Sequence, residues 1–443
     1  RGEELGETVA YKIRFEDNVT DRTQLVFCTV GILLKVMQSN RSLDGATHIV
    51  VDEVHERDLH TDFLLTLLRQ VLDERPELKL VLMSATVDPS AFQAYFNGAK
   101  TVSIPGKTNY PIEEFFLEDI LQMLPGLQAW RRASEASKPK VSPFAQGPLP
   151  GIPLDEAGVA SALPSLPRDL AGDIARVHAN PAPEVDFELT LQVVEMIHRQ
   201  GEDGGILLFM PGWFEISEMM KRLEASKIKG QLAVFPLHSR MPTAEQQTIF
   251  RPPPVGRRKV IIATILAETS ITVEDIVYVV DTGRARTTFF NEASMVSALR
   301  TVWYSKANGF QRRGRAGRCR PGAWYKLYSS LQWEAMDEYS LPEMLRSPLE
   351  ELCLEVASLQ LGAPALFLAE AISPPTDNVV AHAVRLLHNL GATDASGAEL
   401  TPLGEKLAKL QVHPMLGKML LLAGLFRCFR PMMTICASLG YKS

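Results

Sequence analysis

Two adjacent carboxylates at the end of an apolar run are the first chemistry this sequence offers. Ile49, Val50 and Val51 lead straight into Asp52, Glu53, Val54, His55, Glu56 and Arg57. Packing alone does not ask for that succession. In an open α/β sheet, ligands sit beyond the carboxyl ends of the strands, so Asp52 and Glu53 are placed to hold a magnesium ion and orient a water. A second island, Ser84-Ala85-Thr86, ends the apolar run 78–83 in the same way. The third is Gln311-Arg312-Arg313-Gly314-Arg315-Ala316-Gly317-Arg318. On a continuous helix Gln311, Arg315 and Arg318 share one stripe at i, i+4 and i+7. The five arginines Arg312, Arg313, Arg315, Arg318 and Arg320 have no acid among them. They repel one another unless an anion is near, and a triphosphate is a natural one. Gly314 and Gly317 each cost a helix roughly 1 kcal/mol relative to alanine, tolerable where backbone must come close to a ligand or a facing domain. A merely solvated basic helix is the plainer alternative.

These groups need strands to carry them. Residues 9–15, 25–29, 47–52, 78–84 and 101–104 read as strands alternating with helices, the pattern of a parallel sheet. A second set follows at 206–210, 233–237, 260–264, 276–281 and 323–327. Between the two sets, residues 118–184 change character. Prolines recur there from Pro139 to Pro183, which reads as a flexible linker or insertion; its Arg131, Arg132, Lys138 and Lys140 could touch RNA, with plain solvation the simpler reading. Beyond residue 341 the pattern turns helical.

On these residues the chain resembles the DEAH/RHA-type (DExH-box) RNA helicases. Asp52 to His55, Ser84 to Thr86, Ala267-Glu268-Thr269-Ser270-Ile271-Thr272 and Gln311 to Arg318 are similar to that family's motifs II, III, V and VI, in its order. Thr29-Val30-Gly31-Ile32-Leu33-Leu34 is similar to motif Ib. The resemblance implies an α/β fold of two RecA-like parallel-sheet domains, the first incomplete, with a winged-helix domain and the start of a ratchet-like helical domain after them. The expected boundaries are 1–117, 118–184 for the linker, 185–340, 341–410 and 411–443.

It also implies roles for residues. Asp52 would hold Mg2+ through its water shell, Glu53 would polarise the attacking water, and His55 would couple both to motif VI. Arg315 and Arg318 would act as arginine fingers and Gln311 would help place the water. Ser84 and Thr86 would relay nucleotide state. Phe250 stands where family members stack a ring on the base, with an ordinary core phenylalanine as the alternative. Thr29, Gly31 and Thr264 would meet the backbone of bound RNA. Residues 283–301 would include a β-hairpin that guides the strand, with Arg284 and Arg286 facing RNA or simply exposed.

Two departures stand out. Relatives carry asparagine after the motif V threonine, whereas Ile265 follows Thr264 and can make no side-chain hydrogen bond. The family's Gly-rich phosphate loop and motif Ia are also not found. Pro105-Gly106-Lys107-Thr108 is no substitute, because Thr101 stands where the loop's first glycine is required. The sequence therefore reads as a fragment of a longer product. Its first sheet is expected to have an uncovered edge, and these residues alone are expected to hydrolyse ATP poorly.

Composition is consistent with a large protein of several domains: 443 residues, 46% hydrophobic and 22% charged. The net charge of −6 does not argue against RNA, because binding depends on local basic surface. Cys28, Cys319, Cys353, Cys428 and Cys436 show neither metal-ligand spacing nor a paired framework. Reduced thiols inside the cell, in cytoplasm, nucleus or an organelle, are the simplest reading. Residues 415–426 are too short to span a bilayer and read as a buried helix, so no membrane partner is expected. The expected function is an NTP-dependent RNA helicase using ATP and Mg2+ to translocate 3′ to 5′. A non-catalytic RNA-binding scaffold and a DNA-directed relative are the alternatives.

Overall fold

The computed structural model describes residues 2–85, 89–104, 110–136, 148–179, 185–269, 273–291, 294, 296–410 and 412–440. Thr86, residues 105–108, Lys138, Lys140 and residues 270–272 lie outside them. The chain divides into two compact units. One comprises Arg1–Val102, Phe289–Ala298 and Leu341–Ser443; the other comprises Ser103–Thr288 and Leu299–Ser340.

In the first unit, β1 (Val9–Ile13) pairs with β2 (Glu16–Asp17) and runs parallel to β3 (Leu25–Cys28). β4 (His48–Val51) and β5 (Lys79–Leu82) form a separate parallel pair. The helix Leu59–Glu74 connects them and covers one of their faces. Asp58 starts it by accepting a hydrogen bond from the Thr61 N–H at 3.0 Å, an N-cap that satisfies one otherwise orphaned donor. Its buried face, including Phe63, Leu64, Leu67, Leu68 and Val71, belongs to the same core as Leu352, Leu368, Val380 and Leu387 from the C-terminal helices. Phe63 meets Phe367 edge to face with ring centroids 5.5 Å apart. The first sheet is less well covered: Val50, Val81 and every residue of β3 are exposed. The expected strand at 101–104 does not form. Val102 and Ile104 are instead exposed in irregular chain, since no neighbouring strand offers them a ladder.

The second unit holds a six-stranded sheet built of β6 (Ile112–Phe115), β7 (Gly205–Phe209), β8 (Leu232–Leu237), β9 (Arg258–Ala263), β10 (Ile276–Asp281) and β13 (Gly322–Lys326). Its order is β6-β13-β10-β7-β9-β8 and every pairing is parallel. β7 and β10 are buried throughout, the continuous apolar reading of strands covered on both faces. Ile206 and Leu208 face one core, and Leu207 and Phe209 face the other. Because β6 is an edge strand of this sheet, the change of unit falls near residue 102 rather than at 117. β11 (Arg284–Asn291) and β12 (Val296–Trp303) form the expected two-stranded ribbon, of which Phe289–Ala298 belongs to the first unit. Gly283 makes the turn into it at φ 72. A Cβ there would stand 2.7 Å from the Tyr328 ring and 2.8 Å from that of Trp303.

The proline-rich stretch is a correction. Instead of a flexible linker, its described residues include the helices Leu117–Met123, Leu127–Ala136, Glu156–Ala162 and Arg168–Ala179. Trp130, Val159, Leu170 and Ile174 are buried in the core on one face of the second sheet. Proline punctuates these short helices without preventing their apolar faces from packing. Arg131 is likewise not a free linker charge: its Nε donates to Asp173 at 2.7 Å. The helix Pro414–Leu425 also differs from expectation, since Leu425 and Phe426 are exposed and only Pro414, Gly417 and Ala423 are buried in it. Among the described residues no helix is long and apolar enough to cross a membrane.

Trp130 tests whether the proline-rich stretch is structural. It is fully buried and its Nε1 donates to Asp186 at 2.7 Å. Trp130→Ala should destabilise the protein by about 3–5 kcal/mol, read by denaturant unfolding, whereas a residue in a solvated linker would change little.

Candidate active site

β4 ends at Val51, and the chain turns sharply there. Val51 O accepts from the Met83 N–H at 2.8 Å, and the Val54 N–H donates to Met83 O at 3.1 Å, so the turn is tied to the end of β5 on both sides. Buried Val54 plugs it from below. Between these anchors, Asp52 and Glu53 are exposed at the carboxyl end of a parallel strand. Glu53 adopts the left-handed conformation, φ 54 and ψ 33, and heads a single 3-10 turn, Val54–Glu56, closed by Arg57 at φ 51. Two bulky residues in that region are uncommon, and such local strain concentrates at functional turns. The Asp52 carboxylate accepts from the Glu53 N–H at 2.8 Å.

His55 sits within the same turn. Its Nδ1 accepts from the Ala85 N–H at 3.2 Å and lies 3.5 Å from a Glu53 carboxylate oxygen. An accepting Nδ1 is unprotonated there, and burial, outweighing the Glu53 and Asp52 charges, pushes the imidazole below its ordinary value of 6.5. The ring is thus neutral at pH 7. It bridges the acid loop to the Ser84-Ala85 strand end, and Ser84 is exposed beside it. Mg2+ is commonly held by one or two carboxylates together with substrate phosphates, and two exposed carboxylates fit that donor set. Among the described residues no cluster of three or more His, Cys, Asp or Glu could cage a metal without such help.

Thr29 is the N-cap position of the helix Val30–Met37, where its side chain makes no cap hydrogen bond. Thr29 and Gly31 are both exposed, and a Cβ on Gly31 would meet nothing within 4 Å. This helix start therefore offers hydroxyl and backbone to an external ligand.

In the second unit the helix of the arginine island is Lys306–Arg313, started by Ser305, and it stops before Arg315. The expected stripe of Gln311, Arg315 and Arg318 is therefore broken by the turn at Gly314. Arg315 and Arg318 still come together, lining one small, largely apolar cavity with Leu237, Ala267 and Val273. Arg315 donates to the backbone carbonyl of Glu268, and Arg318 Nε donates to Gly314 O at 3.3 Å. Gly317 is required by packing rather than by a ligand: a Cβ there would meet Tyr110 O and Ile112 at 2.7 Å.

Arg312 is not part of any loose basic cluster. Its side chain is fully buried and donates from Nε to Glu268 at 2.6 Å, from Nη1 to Asp281 at 2.7 Å and from Nη2 to Arg284 O at 3.1 Å. Burial opposes its charge, but the Asp281 and Glu268 carboxylates outweigh burial and hold it protonated. Asp281 also accepts from Tyr304 at 2.8 Å and from the Gly283 N–H at 2.9 Å. Arg284 and Arg286 are engaged as well. Arg284 is buried over the Trp303 ring, and Arg286 pairs with Glu215 at 2.8 Å.

Sequence reasoning missed Asp281 and the structural part of Glu268. The signal for Asp281 was an acid closing an otherwise apolar strand, which demands a buried partner. Phe250 ends the 3-10 helix Gln247–Phe250 and is 54% exposed, while Ile249 beside it goes into the core, so the core alternative for Phe250 does not hold. Thr264 is buried just past β9, and its neighbour Ile265 is half exposed.

Residues 188–320 match the family described as the helicase conserved C-terminal domain, and residues 383–410 match the winged-helix helicase associated domain, HA2. The six-stranded parallel sheet is accordingly a RecA-like C-terminal helicase domain. The DExH-box ATP-dependent RNA helicase DExH1 of Arabidopsis thaliana is 40% identical over 456 residues, covering 100% of this chain and 45% of that protein. The ATP-dependent DNA/RNA helicase DHX36 of Homo sapiens is 39% identical over 451 residues, covering 99% and 44%. DExH3 of Arabidopsis thaliana is 40% identical over 462 residues, covering 100% and 37%. The chain thus spans less than half the length of these relatives.

Arg312→Ala leaves two buried carboxylates without their counter-charge and should cost about 3–5 kcal/mol in the unfolding free energy measured by denaturant titration. His55 should titrate below 6.5 by NMR of its ring protons. Because its folded value lies under its unfolded one, the stability it contributes is complete above 6.5 and is lost as pH falls through the folded value.

Proposed function

Since this chain belongs to the DExH-box helicase family, we propose that the intact protein is an NTP-dependent RNA helicase, coupling ATP hydrolysis to 3′-to-5′ translocation and to the opening of duplexes or ribonucleoprotein. The observation that carries this reading is the exposed Asp52-Glu53 pair at the carboxyl end of a parallel strand, with Glu53 in the left-handed conformation at the head of a 3-10 turn. Asp52 would hold Mg2+, which would supply positive charge to offset that of the nucleotide's phosphates. Glu53 takes the proton of the attacking water, and His55, neutral and tied to Ala85, fixes the orientation of the loop. Arg315 and Arg318 offset the charge that develops on the transferring phosphoryl group, Gln311 helps place the water, and Ser84 and Thr86 relay nucleotide state. Phe250, exposed and aromatic, stacks on the base.

Thr29 and Gly31 meet the sugar-phosphate backbone, which suits a motor that steps along any sequence. The backbone at Thr264 does the same, its side chain being buried. A DNA-directed activity is the second reading, favoured by the likeness to DHX36, an ATP-dependent DNA/RNA helicase.

Phosphate release by the intact protein, stimulated by single-stranded RNA, tests the assignment. Glu53→Gln should lower kcat on the order of 10²- to 10⁴-fold while nucleotide still binds. The 443 residues contain no Gly-rich phosphate loop, so alone they should show little turnover. A Gln variant as active as the parent would exclude Glu53 as the base. Matched RNA and DNA strands, compared for binding and stimulation, separate the two readings.

A further inference from the structure

Arg57 has no part in the chemistry just described, yet it is the most heavily committed side chain near the acids. Four residues beyond Glu53, it closes the 3-10 turn in the left-handed conformation. Its guanidinium grips Asp62 with both arms, Nε to Oδ1 at 2.8 Å and Nη2 to Oδ2 at 3.0 Å. Asp62 is fully buried in the helix that connects β4 to β5. The same Nη2 donates to Ser373 Oγ at 2.8 Å, and the guanidinium carbon lies 5.7 Å from the centre of the Phe92 ring.

The backbone is held from the same direction. Arg57 O accepts from the Glu343 N–H at 3.0 Å, and the Glu343 carboxylate accepts from the Leu59 N–H at 3.0 Å. Ser373 and Glu343 come from the C-terminal helical part of the first unit, 316 and 284 residues from their partners Arg57 and Leu59.

A turn that needed only to be closed could end in glycine at no steric cost, or satisfy Asp62 from the helix itself. This one instead places a strained arginine where one planar fork binds a buried carboxylate and a distant hydroxyl together, a task for which lysine is no substitute. The geometry points to Arg57 as a positioning residue: through it, Ser373, in the bend before the helix Asp377–Leu390, and Glu343, at the head of the 3-10 turn Glu343–Leu345, set the orientation in which the Asp52-Glu53 turn meets the water and the phosphate. The inference rests on the proposed hydrolytic role of Glu53. It adds a route by which displacement of the C-terminal segment reaches the acids, because only the three residues of the turn Val54–Glu56 lie between Glu53 and Arg57 and both of these are fixed at left-handed angles.

The test is steady-state NTP hydrolysis by the intact protein, with RNA present, for Ser373→Ala, Ser373→Thr, Arg57→Lys and the parent. Ser373→Ala removes one hydrogen bond and leaves the Arg57–Asp62 pair, so its melting temperature should match that of the parent. Arg57→Lys keeps the charge but loses the fork, and its kcat should fall about 10- to 100-fold, the usual cost of losing an orienting outer-shell partner. Ser373→Ala should lower kcat in the same sense by less, and Ser373→Thr should restore it. In each case KM for the nucleotide should hold, because the loss is of transition-state alignment rather than of ground-state binding. Parent-like kcat in both Ser373→Ala and Arg57→Lys would overturn the proposal. So would losses of activity that follow the melting temperature alone, which mark a structural clamp. If the parent itself releases no phosphate, the hydrolytic reading fails, and Arg57 has no reaction to position.

Discussion

A fully buried guanidinium pinned by two carboxylates is the constraint around which the second unit is organised. Arg312 cannot lose its proton, so its burial must be compensated in place. Glu268 comes from the segment after β9, Asp281 from the end of β10, and the Arg284 carbonyl from the base of the ribbon. Three chain segments are therefore fixed at one point. Tyr304 and Trp324 donate to Asp281 and use its remaining acceptor capacity. Arg315 and Arg318 follow directly on this anchored helix, so their placement derives from it even though neither is part of it. Asn308, donating to the second Glu268 oxygen at 2.9 Å, completes the satisfaction of that carboxylate. Losing Arg312 strips both buried carboxylates of their counter-charge, and losing a neutral donor leaves a buried carboxylate oxygen short of a hydrogen bond.

The first unit solves the converse problem. Asp52 and Glu53 are exposed, as their proposed roles toward a metal and a water require, so no burial holds them. Rigidity is supplied from beneath, by Val54 in the core and by the Met83 and Ala85 backbone of the adjoining strand end. It is supplied from beyond as well, by the Arg57–Asp62 pair. The exposed acids are thereby bracketed between two buried anchors. The strain of two left-handed residues persists because these surrounding contacts over-determine the turn.

Much of this arrangement was legible in the sequence, for identifiable reasons. Strands β7, β9 and β10 were readable because a parallel strand covered on both faces must be apolar throughout, and the acid pair because it interrupts such a run. The helical tail beyond residue 341 was readable from its periodicity. What was not legible depends on partners distant in sequence. The stretch 118–184 was misjudged because proline content was weighed above the short apolar faces around Trp130, Val159 and Ile174, whose value appears only when a sheet is there to receive them. β6 was missed because Ile112–Phe115 carries two glutamates, and Glu114 becomes intelligible only when Arg313 and Lys326 are seen to pair with it at 2.6 and 2.8 Å. The helical stripe of Gln311, Arg315 and Arg318 failed at Gly314, where one turn of chain changes every later direction.

The arginine island shows why residue type alone could not assign roles. Its members differ by environment: Arg312 is buried against two acids, Arg313 is half exposed against Glu114, and Arg315 and Arg318 line a cavity at the edge of the core. A guanidinium whose donors go to buried carboxylates has little left with which to follow a changing ligand charge, and it serves as a fastening. Arg315 and Arg318 each donate to a backbone carbonyl, those of Glu268 and Gly314, and a guanidinium that exchanges a neutral acceptor for a phosphate oxygen does so at a gain. Its two buried carboxylate acceptors, and not the count of positive charges in the island, mark Arg312 as the arginine that holds the fold, apart from the two proposed for the chemistry. By the same criterion Arg57, committed to Asp62, belongs with the fastenings, and its influence on the reaction must pass through the backbone of the turn it closes.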